Sequence, residues 1–353
     1  VTQFRSDVLV QVTDRGPDPS VVACVTVCHN ESLIIGRFLD HYRRIGVGRF
    51  YIVDDRSTDG TTEFLGSQPD VVLFTPQAGA EFKDNLGRWR EEILDHFLHG
   101  RWVTLPDTDE FLHYVAMPSN LGTVAAGLDE DGIGAWLGVM IDMYADKPLS
   151  AQRYSGDMPL EQAFPYFDAN GTPPHGVRIV ALPSSYARRF PTPSVAFMGG
   201  VRERLFFTKG PMSAFKRWVL LRFAHMRRAL NPGPFARLQN QMVRLITKGH
   251  FADPPLILNK FALLKWQRGL RFSRAPHSVS ASIRTSEGIA AFLHFKFYKG
   301  NEGLTYIRDR AQHAGGSAQY RAMLSRPDKL NASPLCEDSR RFDGLDSLRD
   351  IIR

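Results

Sequence analysis

The chain lacks most of the features that would take it out of the ordinary globular class. It has three cysteines in 353 residues, Cys24, Cys28 and Cys336, too few for a disulfide framework. Cys24 and Cys28 lie in an apolar run and read as core side chains rather than as a metal pair. The histidine-poor surroundings argue against zinc. No apolar run approaches the roughly 20 residues needed to cross a bilayer. Val1 opens no secretion-signal pattern, so the chain reads as cytoplasmic, or as a fragment whose start was removed. There is no internal repeat and no low-complexity segment.

The composition, 43% hydrophobic and 23% charged, suits a globular domain, and the length allows one large α/β domain with additions or two domains. The net charge of +7 is unevenly spread. Lys216, Arg217, Arg222, Arg227, Arg228, Arg237, Arg244 and Lys248 crowd into residues 213–250. Confined to one insert and without stacked-aromatic patterning, these residues argue against a nucleic-acid partner.

The first third alternates between strand and helix patterns. Residues 1–20 read as a lead-in arm or edge strand. Val21 to Cys28 is a β-branched run suited to a strand buried on both faces. Asn30 is a candidate N-cap for a helix carrying Leu33, Ile34, Phe38, Leu39 and Tyr42. Strands are expected at Phe50 to Val53, Val71 to Phe74 and Trp102 to Leu105, with helices after Thr62 and over Leu86 to Leu98. This β-α-β-α-β-α-β order predicts a mostly parallel sheet flanked by helices. Ligands of such sheets bind beyond the carboxyl ends of the strands. Three polar clusters fall there: His29, Asn30 and Glu31; Asp54 and Asp55; Asp107 and Asp109.

The third cluster organises the rest. In Trp102-Val103-Thr104-Leu105-Pro106-Asp107-Thr108-Asp109-Glu110-Phe111-Leu112, proline ends a strand and three carboxylates follow within four residues. Like charges packed between apolar residues repel and are costly to bury. A divalent cation with oxygen ligands relieves both problems; a solvated loop capped by Asp107 is the blander alternative.

With HNES after the first strand, YIVDDRSTDGT after the second and WVTLPDTDEFL after the fourth, the chain resembles the glycosyltransferase family 2-like enzymes with a GT-A fold, a Rossmann-like nucleotide-diphospho-sugar transferase architecture. More narrowly, it resembles the bacterial branch whose acidic motif reads D-x-D-E-F. Asp142-Met143-Tyr144, Pro165 to Asp168, Gly199 to Phe206, Ser273 to His277 and Leu293 to Lys296 match that branch. The resemblance covers roughly residues 20–300. It implies that Asp55, with Asp54, accepts hydrogen bonds from a base or ribose, that the backbone at Val27 and Cys28 packs on the base, and that Asn30 and Glu31 belong to the same donor site. It further implies that Asp107 and Asp109 hold Mn²⁺ or Mg²⁺ on a diphosphate, with His277 and His294 as further metal or phosphate contacts. The expected donor is a nucleotide-diphosphate sugar, a UDP-sugar favoured, and the acceptor a glycan or lipid-linked molecule of a bacterial surface or extracellular polysaccharide.

Transfer of a sugar requires cations for the leaving diphosphate and a carboxylate base for the acceptor hydroxyl. Lys83, Arg88 and Arg90 are candidates for the first task, or else form a solvated helix face. Glu203 is the first choice for the second, with Asp142 and Asp168 as rivals and pairing of Glu203 with its arginine neighbours as the structural alternative. A single displacement predicts inversion at the anomeric carbon. A sugar nucleotidyltransferase would want a glycine-rich phosphate loop after the first strand, which HNES does not supply. A degenerate glycan-binding or scaffold protein is at odds with intact Asp55, Asp107 and Asp109.

The expected organisation is an arm (1–20), a glycosyltransferase domain (21–310) with a nucleotide-binding half (21–115) and an acceptor half (116–310), and a packed tail (311–353). Within the acceptor half, residues 213–250 read as two basic amphipathic helices broken at Asn231 to Pro234. They are suited to an anionic membrane, at the inner face of the cytoplasmic membrane, or to a lid or oligomer contact.

Overall fold

The structure, a computed structural model, describes the chain apart from residues 1–2, 118, 170–175, 211, 225–229, 231, 252–255 and 274. Arg227 and Arg228 of the basic set, Asn231 and part of the Ser273 to His277 motif lie outside the described residues. In chain order the strands are β1 (Leu9–Gln11), β2 (Val22–Cys28), β3 (Val47–Asp54), β4 (Val71–Pro76), β5 (Trp102–Thr104), β6 (Glu110–His113), β7 (Ala135–Asp142), β8 (Tyr166–Asp168), β9 (Arg178–Ala181), β10 (Val195–Met198), β11 (Asn259–Lys265), β12 (Thr285–His294) and β13 (Ser339–Arg341).

Nine of these form one sheet in the order β1-β4-β3-β2-β5-β11-β7-β12-β6. β4, β3, β2 and β5 run parallel, as do β7 and β12, while β11 is antiparallel to both of its neighbours. β1 and β6 are antiparallel edges. The result is an α/β architecture with a mostly parallel central sheet. β2, whose seven residues are all buried, lies near its centre, as its unbroken apolar run requires when both faces are covered. Helix Ile35–Arg44 buries Phe38, Leu39 and Tyr42, and helix Phe82–Phe97 buries Trp89, Ile93 and Leu94.

One local expectation changes. Asn30 does not cap the first helix, which begins at Ile35. Instead it takes a left-handed backbone (φ 55°), and its Oδ1 accepts from the Thr58 N–H at 2.7 Å. Asparagine tolerates that conformation better than most residues, and the bond ties the HNES turn to the loop after β3.

The topology places the chemistry. β2, β3, β7 and β12 end at one edge, at Cys28, Asp54, Asp142 and His294. β6 and β11 run the other way, so they contribute their first residues, Glu110 and Lys260 among them. Register sets His294 directly beside Glu110 on one side and beside Asp142 on the other. The Asp107–Asp109 loop connects β5, inside the sheet, to β6 at its far edge.

Candidate active site at the carboxyl edge

A cavity of about 450 Å³ opens at this edge. Val27, Glu31, Asp55, Lys83, Asp107, Asp109, His277 and His294 line it, so residues from six separate stretches of the chain meet there.

Each acid of the motif has its own environment. Asp107, with a side chain 48% exposed, accepts from Arg90 at 2.8 Å and from Lys260 Nζ at 2.9 Å. Burial works to raise its pKa, but Lys260 and Arg90 hold it well below the usual carboxylate range. Glu110, buried at the start of β6, accepts from the same Lys260 at 2.9 Å and from the Asp107 N–H at 2.8 Å. There burial prevails over Lys260, and the pKa rises. Asp109 faces Lys296 at 3.4 Å and His294 Nε2 at 3.5 Å. Against burial, these two cations hold it far down.

His294 is oriented from behind. Its Nδ1 lies 2.6 Å from Asp142 Oδ1, while Asp142 Oδ2 accepts from Arg202 Nε at 2.7 Å. Burial lowers the His294 pKa, yet Asp109 and Asp142 outweigh it and the net shift is upward. A carboxylate fixing one ring nitrogen while the other faces the site is the usual support of a metal-ligating histidine.

The donor set fits a divalent cation. Asp109, Glu110 and His294 each offer a ligand atom, and these atoms lie within 4.8 Å of one another. Carboxylates with one imidazole suit Mn²⁺, with Mg²⁺ accommodated by the oxygens. Asp107 is not in this group; Arg90 and Lys260 engage its two oxygens. His277 is not in it either. Its Nδ1 lies 2.6 Å from the Asn259 carbonyl oxygen, and burial together with Lys260 pushes its pKa down to about 4. It presents a neutral imidazole to the cavity wall.

The β2–β3 end is built differently. Asp55 gives one oxygen to Arg56 at 2.8 Å and the other to Arg310 at 2.5 Å. Asp54 does not line the cavity; it accepts from the Ser57 and Thr62 hydroxyls and shapes the loop around Asp55. Asn30 stays outside the lining, whereas Glu31 reaches it, held by the Tyr298 hydroxyl and by Lys299 at 3.3 Å. His29 donates to the Asp55 carbonyl oxygen at 2.6 Å, and its ring stacks on Tyr306 with centroids 5.8 Å apart.

Several expected roles change place. Glu203 does not line the cavity. It lies in helix Gly200–Phe206 and forms a buried two-pronged pair with Arg178 of β9, at 2.6 and 2.9 Å. Both of its oxygens are buried and engaged, away from the cavity. Gly199 sets the start of that helix. Its φ is 126°, and a side chain there would meet the Gly176 carbonyl oxygen at 2.3 Å, so only glycine fits. Asp168 is likewise buried, paired with Arg204 at 2.8 Å and accepting from the Tyr144 hydroxyl. Asp142 stands behind His294 as a positioning group. Arg88 points away from the cavity, to Asp7 and Glu92, while Arg90, one residue pair further round the helix, turns inward.

Other participants carried little signal in the sequence. Lys260, in β11, and Lys296, in the turn just past β12, are isolated lysines among apolar residues, recognisable only as the sort of buried cation that demands a partner. Arg90 is almost fully buried, yet its Nε and Nη1 find no partner among the described residues. Arg310, His313 and Tyr320 come from the C-terminal helices Gly300–Arg310 and Ala314–Leu324 and their junction, which roof the cavity.

No family model matches the chain, and no curated protein does. Among solved structures, one described as a glucose-1-phosphate thymidylyltransferase from Bacillus anthracis in complex with sucrose aligns at 10% identity and a TM-score of 0.25. It covers 36% of this chain and 57% of that one. A CMP:2-keto-3-deoxy-manno-octonic acid synthetase complexed with CTP aligns at 13% identity and a TM-score of 0.24, over 48% of this chain and 62% of that one. The chain thus spans about three fifths of each. Likeness at this level carries no argument about the site.

Proposed function

We propose that the cavity takes a nucleotide-diphosphate sugar and that the protein transfers its sugar to a hydroxyl of a glycan or lipid-linked acceptor, as a metal-dependent glycosyltransferase similar to family 2. The observation that carries this reading is that Asp55, at the end of β3, and Asp109, Glu110 and His294, at the β6–β12 side, line one cavity. The nucleoside belongs beside Val27 and Asp55. Its diphosphate then lies toward the acidic motif, where Arg90, whose Nε and Nη1 have no partner among the described residues, Lys296 and Lys260 face it. Asp109, Glu110 and His294 would hold Mn²⁺ or Mg²⁺. Such an ion supplies charge stabilisation to a departing diphosphate. Asp142 keeps His294 in the ligating tautomer, and Arg202 keeps Asp142 ionised.

Thermal melting tests the reading. UDP with Mn²⁺ together should raise the melting temperature, neither alone should do so, and Asp109→Ala should abolish the response. Stabilisation by nucleoside triphosphates but by no nucleoside diphosphate or nucleotide-sugar would point to nucleotidyl transfer instead. No response to any nucleotide would end both readings.

A further inference from the structure

No helix among the described residues is long and apolar enough to cross a membrane, yet one part of the surface is strongly apolar. Helix Ala214–Phe223 buries Val219 and Leu220 and turns Phe215, Trp218 and Leu221 outward. Helix Pro234–Thr247 buries Asn240, Val243 and Thr247 and turns Phe235, Leu238, Met242 and Leu245 outward. Phe235 is 80% exposed, Leu245 64% and Trp218 54%. The Phe215 and Trp218 rings stack, with centroids 6.2 Å apart. In each helix the outward residues recur every three or four positions, so each presents one continuous apolar stripe. The two helices pack on one another through Val219, Leu220, Ala224 and Val243, a small core of their own. That core uses the opposite faces, and among the described residues nothing covers either stripe.

The charge of the segment indicates what covers them. Between Glu203 and Asp253 the sequence has ten Lys and Arg and no Asp or Glu. Of these, Arg222, Arg237 and Arg244 are exposed on the same two helices, and Lys248 is exposed just past the second. Large apolar side chains flanked by cations of a single sign match the interface of an anionic bilayer, where apolar groups enter the acyl boundary and cations meet the headgroups. A second copy fits poorly, because a two-fold contact through this face would set like charges against like.

We propose that the two helices Ala214–Phe223 and Pro234–Thr247 form a docking surface for an anionic lipid membrane, lying in the plane of the interface without crossing it. The proposal does not depend on the glycosyl-transfer reading. The site is nevertheless mechanically close: the second helix packs on β9, and Arg178 of β9 both stacks on the Phe251 ring at 3.9 Å and pairs with Glu203, the neighbour of cavity-lining Arg202.

Flotation of the full chain with vesicles tests it. Vesicles of phosphatidylcholine mixed with phosphatidylglycerol should carry the protein, and phosphatidylcholine alone should carry it at least about tenfold less. High salt should weaken the binding. The double variant Phe235→Ser/Leu238→Ser and the double variant Arg244→Glu/Lys248→Glu should each lose about tenfold in partition, with unchanged circular dichroism and unchanged melting. These side chains are exposed, so both variants should fold. Three results would overturn the proposal: no flotation with anionic vesicles, flotation that the Phe235→Ser/Leu238→Ser variant leaves intact, or a dimer in sedimentation velocity that this variant dissolves.

Discussion

Lys260 is the residue on which the resting state of the site depends. It is 1% exposed and touches both Asp107 and Glu110 at 2.9 Å. Arg90 also holds Asp107, but among the described residues no other ion pair reaches Glu110. Lys260→Met should therefore leave a buried carboxylate without a cation and cost about 3 kcal/mol in chemical denaturation. If Asp109, Glu110 and His294 bind a divalent ion, adding Mn²⁺ should restore part of that loss, measured as a shift of the denaturation midpoint. His41 gives a separate pH signature. Burial, reinforced by the nearby His113, lowers its pKa to about 3, while its Nε2 lies 2.9 Å from the Leu112 carbonyl oxygen. The unfolded chain, with a histidine pKa of about 6.5, binds the proton that the folded chain refuses. The His41 contribution is complete above about pH 6.5 and is lost as the pH falls toward 3, at about 1.4 kcal/mol per pH unit. In His41→Gln the stability–pH curve should be flatter in that window, as urea titrations at several pH values would show.

At the scale of elements, the helix Gly200–Phe206 shows why a motif alone misassigned a role. Arg202 and Glu203 are neighbours, yet a helix sends them in different directions: Arg202 toward Asp142 and the cavity, Glu203 toward Arg178 of β9. Glu203→Ala should leave Arg178 buried without its partner and destabilise the fold by about 3–5 kcal/mol. At temperatures where the variant stays folded, its melting response to nucleotide and Mn²⁺ should persist. A general base would give the reverse pattern, normal stability with lost turnover. The same reasoning separates Arg88 from Arg90. Both lie in one helix, and only the turn of that helix against β2 decides which of them faces the acids.

Across the whole molecule, the C-terminal segment closes the structure. Gly300–Arg310 and Ala314–Leu324 roof the cavity, β13 pairs with β8, and Leu348, Ile351 and Ile352 enter the main core. Ile289 and Arg353 exchange backbone hydrogen bonds at 2.7 and 3.1 Å beside β12. Deleting residues 339–353 should remove these three side chains from the core and uncover one side of β12. At roughly 1.5–3 kcal/mol for each side chain, the loss is comparable with the whole stability of a typical domain. The truncated chain should show a broad, low-temperature melt or be insoluble.

The strand–helix alternation, the burial of β2 and the carboxyl-edge location of Asp55 and Asp109 were legible in the residues, because apolar periodicity and a proline stop are local properties. Two helices within residues 213–250 were expected as well; the first ends at Phe223 and the second begins at Pro234, where proline suits a helix start. Tertiary structure alone decided the partners. Lys260, Glu110 and Arg310 gained their places because β11 and β6 run against the sheet and the last helices fold back over it, and Lys296 gained its place just past the carboxyl end of β12. Glu203, Asp142 and Asp168 were claimed by arginines far away in sequence. Periodicity tells which face of an element is apolar, whereas the pairing of charges depends on which strands become neighbours, and that is settled only when the sheet closes.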